Sequence, residues 1–242
     1  MVKTRIDRIC DALEREYGQQ RWTRHGTILD ELIYTILSQN TSAANCERAF
    51  RALIERFPTW DHVRLASQEE IADAIRVGGL ADQKAPRIKR ILKGIHNRKS
   101  NLDLEWLANL ADEEALAYLS TFDGVGRKTA ACVLMFGLGR PVMPVDTHVH
   151  RVATRLGLIE KTTADRAHDL LQALVPPERI YSCHLNLVAH GRRVCRARQP
   201  RCNQCVLRAE CDHLDRGSKE KADDGRNSGP RRRPGGGVSG VG

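Results

Sequence analysis

The sequence predicts an all-α protein, and two observations support that prediction. Apolar residues recur at helical spacing along most of the 242 residues, and no stretch shows the period-two alternation of a half-buried strand. Signals that start and stop helices also fall between the apolar stripes. The chain is long enough to bury a hydrophobic core, so folding needs no disulfide staples.

Helix boundaries follow from local signals, taken in chain order. Pro58 ends an apolar stripe, and Ser67 with Glu70 has the spacing of a capping box. Gly78-Gly79 ends the helix that this box starts, and Pro86 suits the first turn of another helix. We therefore expect helices near 6–17, 28–37, 46–57, 71–75, 86–95, 116–119, 149–156, 164–175 and 180–190.

The overall charge favours a polyanionic partner. Lys and Arg number 39 against 30 Asp and Glu, which gives a formal net charge of +9 and is compatible with nucleic acid binding. The N-terminus lacks the apolar run of a signal peptide, and no segment is apolar enough to span a membrane. We therefore expect an intracellular protein whose cysteines stay reduced.

The stretch 121–132, TFDGVGRKTAAC, predicts a tight turn that opens into a helix. Gly124 and Gly126 tolerate backbone angles that other residues avoid, and the helix N-terminus presents free N–H groups to an anion. Lys128 lies in the first turn of this helix, and Asp146 follows 18 residues later. An amine nucleophile beside a carboxylate is typical of Schiff-base chemistry.

Each part of this pattern also has an ordinary structural interpretation. A Gly-Val-Gly turn before a helix often does no more than bind phosphate, and Asp146 has the position of an N-cap for the helix from Thr147. From this stretch alone, an enzyme and a phosphate-binding module are equally open.

A run of cysteines near the C-terminus predicts a metal centre. Four of them occur within 17 residues in the spacing C-x6-C-x2-C-x5-C, namely Cys195, Cys202, Cys205 and Cys211. Soft thiolate ligands suit an iron-sulfur cluster or zinc, and structural zinc sites usually present two close pairs separated by a longer spacer. We therefore favour a 4Fe-4S cluster over zinc. The remaining cysteines fall on apolar stripes and are expected in the core: Cys10, Cys46, Cys132 and Cys183.

In combination, these motifs resemble endonuclease III, within the helix-hairpin-helix superfamily of DNA glycosylases. The resemblance covers roughly residues 5–213 and rests on GVGRKTA at 124–130, VDTH at 145–148 and the cysteine spacing, in this order. Their combination is far more specific than any one of them. The resemblance therefore favours an enzyme over a phosphate-binding module.

The resemblance implies a two-lobed fold with DNA in the cleft between the lobes. One lobe would be a six-helix barrel over 22–137 that carries the hairpin. The other, the iron-sulfur cluster lobe, would combine 1–21 with 138–214. The remaining segment, 215–242, is basic and poor in apolar residues, so we expect a disordered tail. Such a tail either adds nonspecific DNA affinity or is a solvated extension without a role.

The resemblance also implies the catalytic roles. Lys128 would attack the sugar C1′ of a damaged nucleotide, expel the base and leave an imine, after which the strand is cleaved by β-elimination. Asp146 would assist departure of the base, either by activating the lysine or by stabilising the positive charge that develops on the sugar. The four clustered cysteines would hold the cluster, which is expected to shape a DNA-contacting loop.

DNA contacts are implied in the same way. Gln39 would occupy the space that an extruded nucleotide vacates, and Leu80 would insert between bases as an apolar wedge. Without the resemblance, these two residues would be interpreted as a polar helix end and an apolar turn residue. Further contacts are expected from the hairpin, the next helix and the cysteine loop: Gly124, Val125, Gly126, Arg127, His148, Arg196, Arg198 and Arg201.

The predicted function is base-excision repair by a bifunctional DNA glycosylase and AP lyase that removes oxidised pyrimidines from duplex DNA. We expect it to act as a monomer on DNA with damaged bases or abasic sites, without membrane contact and in the bacterial cytoplasm. Adenine-mismatch and many thymine-mismatch glycosylases lack the hairpin lysine, and 8-oxoguanine glycosylases of the superfamily lack the cysteines. A noncatalytic DNA-binding module is the remaining alternative, against which Lys128 and Asp146 argue.

Overall fold

A computed structural model describes residues 4–214, and this part of the chain is helical, with no strand. The predicted tail at 215–242 lies outside the described residues. Within residues 4–214, no helix is both long and apolar enough to cross a bilayer. The α-helices are α1 (Arg5–Tyr17), α2 (Ile28–Ser38), α3 (Ala43–Arg56), α4 (Trp60–Leu65), α5 (Gln68–Ile75), α6 (Ala81–Lys99), α7 (Asp112–Ser120), α8 (Arg127–Cys132), α9 (Thr147–Leu156), α10 (Ala164–Leu174) and α11 (Ile180–Arg193).

Local signals place most helix ends where the sequence predicts them, but α4 was not predicted and one predicted start is wrong. The capping box at α5 is confirmed, since the Glu70 N–H donates to the Ser67 hydroxyl and the Ser67 N–H donates to the Glu70 carboxylate. The expected start at Pro86 is wrong, because α6 begins at Ala81. The turn at Gly79 and Leu80 starts the helix, so Pro86 lies inside it and removes one backbone hydrogen bond.

Buried apolar side chains form two separate cores. The first lies among α2 to α8 and includes Ile33 and Leu134. The second packs α1 against α9 to α11 and includes Leu13 and Met135. A π-helical segment, Val133–Gly137, follows α8 at the junction, so that the consecutive residues Leu134 and Met135 belong to different cores. The two-lobed, all-α fold is confirmed, while the exact domain ranges stay a prediction.

The N-terminal helix is held in the second lobe by arginine contacts. The guanidinium of Arg179, just before α11, pairs with Asp11 at 2.7 Å and with Glu14 at 2.9 Å. Arg5 donates to the Leu156 carbonyl and to the Asp212 carboxylate, both at 2.5 Å. These contacts bind α1 to the end of α9 and to the C-terminal loop, which keeps the cysteine-rich segment against the helices.

Candidate active site

The Gly-Val-Gly turn is fixed by its first two residues. Gly124 has a φ of +75°, and a Cβ at this position would overlap the Arg87 guanidinium. Val125 is buried in the barrel core, where it anchors the turn. Gly126 is the N-cap of α8 at a φ of −82°, and a Cβ there would meet no atom within 4 Å. Gly124 is therefore required by conformation, whereas Gly126 leaves the start of α8 open.

Lys128 and Asp146 face the same space from different helix starts. Lys128 is half-buried, and its amine has the Cys132 thiol, one turn later on α8, as a hydrogen-bond neighbour but forms no ion pair within residues 4–214. Asp146 is the N-cap of α9, and its Oδ1 accepts from the N–H groups of His148 at 2.8 Å and Val149 at 2.7 Å. The other carboxylate oxygen accepts no hydrogen bond from the described residues. Asp146 therefore caps the helix and still has an oxygen free for chemistry.

The segment before Asp146 is held by two buried histidines. Nδ1 of His168 lies 2.9 Å from the Met143 carbonyl, and Nδ1 of His184 lies 2.9 Å from the Pro144 carbonyl. Burial lowers the pKa of both imidazoles, that of His184 to about 4. Both rings are therefore neutral at neutral pH, and since a carbonyl only accepts, each donates from Nδ1. This arrangement fixes the position of Asp146.

Two cavities meet at Lys128 and Asp146, since both side chains line each of them. The first has a volume of about 700 Å³ and is also lined by Glu31, Thr35, Tyr181 and His184. The second, of about 750 Å³, runs past the hairpin side and is also lined by Gln39, Asn40, Thr147 and His148. The amine and the carboxylate thus stand between a chamber with aromatic walls and a cleft lined by loops and helix starts.

The two predicted wedge residues differ in exposure. Both groups of the Gln39 side-chain amide form hydrogen bonds. Its oxygen accepts from Arg87 Nη1 at 2.8 Å, and its nitrogen donates to the Gly124 carbonyl at 3.3 Å. The next residue, Asn40, is exposed and has a φ of +54°. Leu80 is 44% exposed at a φ of +53°. Left-handed backbone at a leucine costs about 1–2 kcal/mol, so an exposed Leu80 there suggests a function.

A buried lysine that the sequence did not reveal links the loop at Gln39 to the turn at Leu80. Lys84 is 2% exposed, and its ammonium donates to the Leu37 carbonyl at 2.7 Å and to the Gly78 carbonyl at 3.1 Å. Leu37 precedes the Gln39 loop, and Gly78 precedes Leu80. Burial lowers the pKa of this lysine. Its position on the apolar stripe of α6, four residues before Ile88, was the available sequence signal.

The predicted basic contacts fall into two groups. The guanidinium of Arg127 pairs with Asp169 and donates to the Asp165 carbonyl at 3.0 Å, which directs it toward α10. His148 lies with Nδ1 3.1 Å from Arg151 Nη2 and lines the second cavity. The cysteine-loop arginines are exposed, and their side chains form no ion pair within residues 4–214: Arg196, Arg198 and Arg201. These three arginines are therefore available to contact phosphate groups.

The four clustered cysteines lie around one small cavity of about 20 Å³, together with Arg155. Arg155 Nη1 lies 3.4 Å from Cys195 Sγ, and His190 Nε2 lies 3.4 Å from Cys205 Sγ. Within residues 4–214, no three potential ligands are grouped around a single metal ion. Four soft donors around one cavity, with nitrogen groups beside two sulfurs, fit a metal–sulfur cluster. The other cysteines are buried as predicted: Cys10, Cys46, Cys132 and Cys183.

Comparison with known proteins identifies several relatives. A family model described as HhH-GPD superfamily base excision DNA repair protein matches residues 33–177. Endonuclease III of Thermotoga maritima is 35% identical over 78% of this chain and 84% of its own length. Endonuclease III of Sulfolobus acidocaldarius is 33% identical over 75% of this chain and 80% of its own. A candidate DNA glycosylase of Arabidopsis thaliana is 44% identical over 70% of this chain, which spans only 58% of that relative's length.

Solved structures show the same fold. A non-covalent endonuclease III–DNA complex superposes with a TM-score of 0.74 at 26% identity, covering 90% of this chain and all of that one. A trapped covalent endonuclease III–DNA intermediate has the same TM-score at 27% identity and the same coverage. A thermostable thymine-DNA glycosylase has a TM-score of 0.73 at 19% identity, covering 88% of this chain and 97% of that one, a likeness of fold alone.

Proposed function

The chain belongs to the HhH-GPD superfamily of base excision DNA repair proteins, and from this membership we propose that it is a bifunctional DNA glycosylase and AP lyase. Its substrate would be duplex DNA that carries an oxidised pyrimidine. The observation that carries the proposal is the pair Lys128 and Asp146, since a lysine amine without an ion-pair partner and a carboxylate oxygen without a donor line one cavity. Relatives named endonuclease III support it.

The two cavities suggest how the substrate is placed. The extruded base enters the first cavity, whose aromatic walls suit a flat ring, while the sugar and phosphates lie along the second. Lys128 then faces the sugar C1′ at the point where the cavities meet. The Gly126 N-cap and the open start of α8 suit a neighbouring phosphate.

The reaction follows from these positions. The neutral amine of Lys128 attacks C1′, the C1′–N bond of the nucleotide breaks, and the base leaves with the bonding electrons and takes up a proton. In the resulting hemiaminal ether the bond from C1′ to the ring oxygen breaks, the oxygen takes up the proton that leaves Nζ, and an imine forms between Nζ and C1′. Loss of a proton from C2′ then expels the 3′ phosphate by β-elimination and cleaves the strand. The free oxygen of Asp146 either accepts the proton of Lys128 or stabilises positive charge on the sugar.

Contacts around the site would hold the distorted duplex. Leu80 inserts between bases, Gln39 and the neighbouring loop fill the space of the extruded nucleotide, and the cysteine-loop arginines contact phosphates. The residues that would hold a 4Fe-4S cluster are Cys195, Cys202, Cys205 and Cys211. When bound, the cluster would brace this exposed loop rather than take part in the reaction.

The test uses a duplex that carries one thymine glycol, with the undamaged duplex as control. We expect release of the base together with a nick that leaves a 3′ unsaturated aldehyde and a 5′ phosphate, because β-elimination gives these ends. Mass spectrometry of the products reads both steps. Base release without a nick would make the protein a monofunctional glycosylase, and binding without either step would make it a noncatalytic module.

Leu80→Gly separates strain from function at the wedge. Glycine relieves the left-handed backbone but adds freedom to the unfolded chain, so we expect the free energy of unfolding to change by less than about 1 kcal/mol. Base excision should nevertheless fall by about tenfold, because the apolar wedge is gone. Thermal unfolding and single-turnover kinetics measure the two effects. The control Leu65→Ala removes another exposed leucine, which is 70% exposed on α4. Equal losses in both variants would contradict a wedge role.

Metal analysis of the native protein tests the cluster. We expect about four iron and four sulfide ions per chain and an absorbance band at about 400 nm. The Cys202→Ala variant should lose the iron and the absorbance. Cys46→Ala, which changes a buried cysteine of the barrel core, should keep the iron. A colourless protein that contains zinc and no iron would overturn the assignment.

A further inference from the structure

The Glu31 carboxyl lines the first cavity, which Lys128 and Asp146 also line. On α2, Glu31, Thr35 and Ser38 follow one another at i, i+4 and i+7, which places a polar stripe on a helix otherwise buried in the barrel core. The Thr35 hydroxyl donates to Glu31 Oε1 at 3.0 Å. Within residues 4–214, no lysine, arginine or histidine forms an ion pair with this carboxyl.

Glu31 lies on the side of the site that would hold the base, not on the side that would hold the sugar. Lys128 and Asp146 line both cavities, whereas Glu31 and Thr35 line only the first. A nucleotide whose C1′ faces Lys128 extends its base away from the second cavity, which holds the sugar and phosphates. The base edge therefore points toward Glu31 and Thr35.

The surroundings keep the carboxyl partly protonated near neutral pH. Burial raises the pKa of Glu31 to about 7, while the hydrogen bond from Thr35 and the charge of Lys128 oppose this shift. Burial also keeps two neighbours neutral, since the pKa of Cys132 rises to about 11 and that of His184 falls to about 4. The titratable and charged groups that line this cavity or interact electrostatically with Glu31 are His25 before α2, Asp30 and Tyr34 on α2, Cys46, Glu47 and Arg51 on α3, Lys128 and Cys132 on α8, Asp146 before α9, and Tyr181, His184 and Arg192 on α11.

We propose that Glu31 recognises the extruded base, with its protonated carboxyl donating a hydrogen bond to a carbonyl oxygen on the edge of an oxidised pyrimidine. The inference rests on the proposed function and deepens it, because it names the group that selects the base. The second carboxyl oxygen accepts from a ring N–H, so the acid matches the C=O and N–H pair of such a ring. Thr35 holds the carboxyl in place.

The test compares two substrates that differ only in the base. Single-turnover cleavage is measured on a duplex with thymine glycol and on the same duplex with an abasic site, which offers Glu31 nothing to bind. We expect Glu31→Leu to slow thymine glycol excision by about tenfold or more, the worth of one strong hydrogen bond. Cleavage at the abasic site should change by less than about twofold.

Glu31→Gln supplies the pH readout. An amide donates at every pH, so the wild-type excision rate should fall relative to the Glu31→Gln rate as pH rises through about 7, where Glu31 loses its proton. The matched control is Glu55→Gln, since Glu55 is exposed on α3 and lines neither cavity. Its ratio to wild type should not vary with pH.

The outcomes separate the inference from the function on which it rests. Wild-type cleavage of both substrates, with Glu31→Leu either unchanged or slowed equally on both, would overturn the role of Glu31 and leave the proposed function standing. An equal slowing would mean that Glu31 supports the site as a whole. Failure of the wild type at the abasic site would instead remove the lyase itself, and the role of Glu31 with it.

Discussion

Replacing Lys128 by alanine is expected to lower strand cleavage at an abasic site by about a thousandfold or more, because no other described lysine lines the two cavities. The fold should survive. Lys128 is half-buried, forms no ion pair within residues 4–214 and has the Cys132 thiol as its hydrogen-bond neighbour, so the substitution removes little that holds the fold. Nicking of a labelled duplex under single-turnover conditions measures the effect.

Lys93→Ala provides the control for loss of a positive charge, since Lys93 is exposed on α6. Its cleavage rate should stay within about twofold of wild type, because a single exposed charge contributes little. DNA binding by Lys128→Ala should also persist, which separates lost chemistry from lost affinity. A Lys128→Ala enzyme that cleaves at more than a tenth of the wild-type rate would contradict the assigned nucleophile.

The second large effect is expected from Asp146→Asn, which removes charge while keeping the cap. The asparagine Oδ1 can still accept from the N–H groups of His148 and Val149, so the start of α9 should remain intact. The amide no longer supplies a negative oxygen beside Lys128. We therefore expect base excision to slow by about 10²–10³-fold, as when one preorganised electrostatic group is lost.

Asp146→Ala tests the same position without the cap. It should lose activity to a similar extent and also about 1 kcal/mol of stability, because two N–H groups at the start of α9 lose their acceptor. Comparison of the two variants by thermal unfolding and by excision rate separates the roles. If Asp146→Asn cleaves as fast as wild type, Asp146 acts as a helix cap and no more.

The parts of the site that the sequence predicts are those encoded in contiguous motifs. The hairpin turn, the placement of Lys128 at the start of α8 and the buried set of unclustered cysteines each follow from local spacing. The two interpretations of Asp146 were posed as alternatives, yet the structure allows both, because one oxygen caps α9 and the other is free. A carboxylate has enough acceptor sites to serve both purposes.

The parts that the sequence does not predict depend on contacts between distant segments. Lys84 interrupts an apolar stripe, and only tertiary packing reveals that its ammonium meets two carbonyls, one of them 47 residues away. Glu31 lies beside buried leucines, so its exposure to a cavity follows from the place of α8 and α11. Gln39 faces the hairpin because Arg87, on another helix, donates to it. For Lys84 and Glu31, the available sequence signal was a charged residue among apolar positions of a buried helix.

The central claim is that Lys128 forms the imine with DNA, and mapping of the trapped adduct tests it most directly. The wild-type protein is incubated with a duplex that carries thymine glycol, the imine is reduced with borohydride, and the linked peptide is identified by mass spectrometry. We predict that the sugar remnant lies on Lys128, because reduction turns the imine into a stable amine on the attacking residue. An adduct on another residue, or strand cleavage without any adduct, would contradict this account.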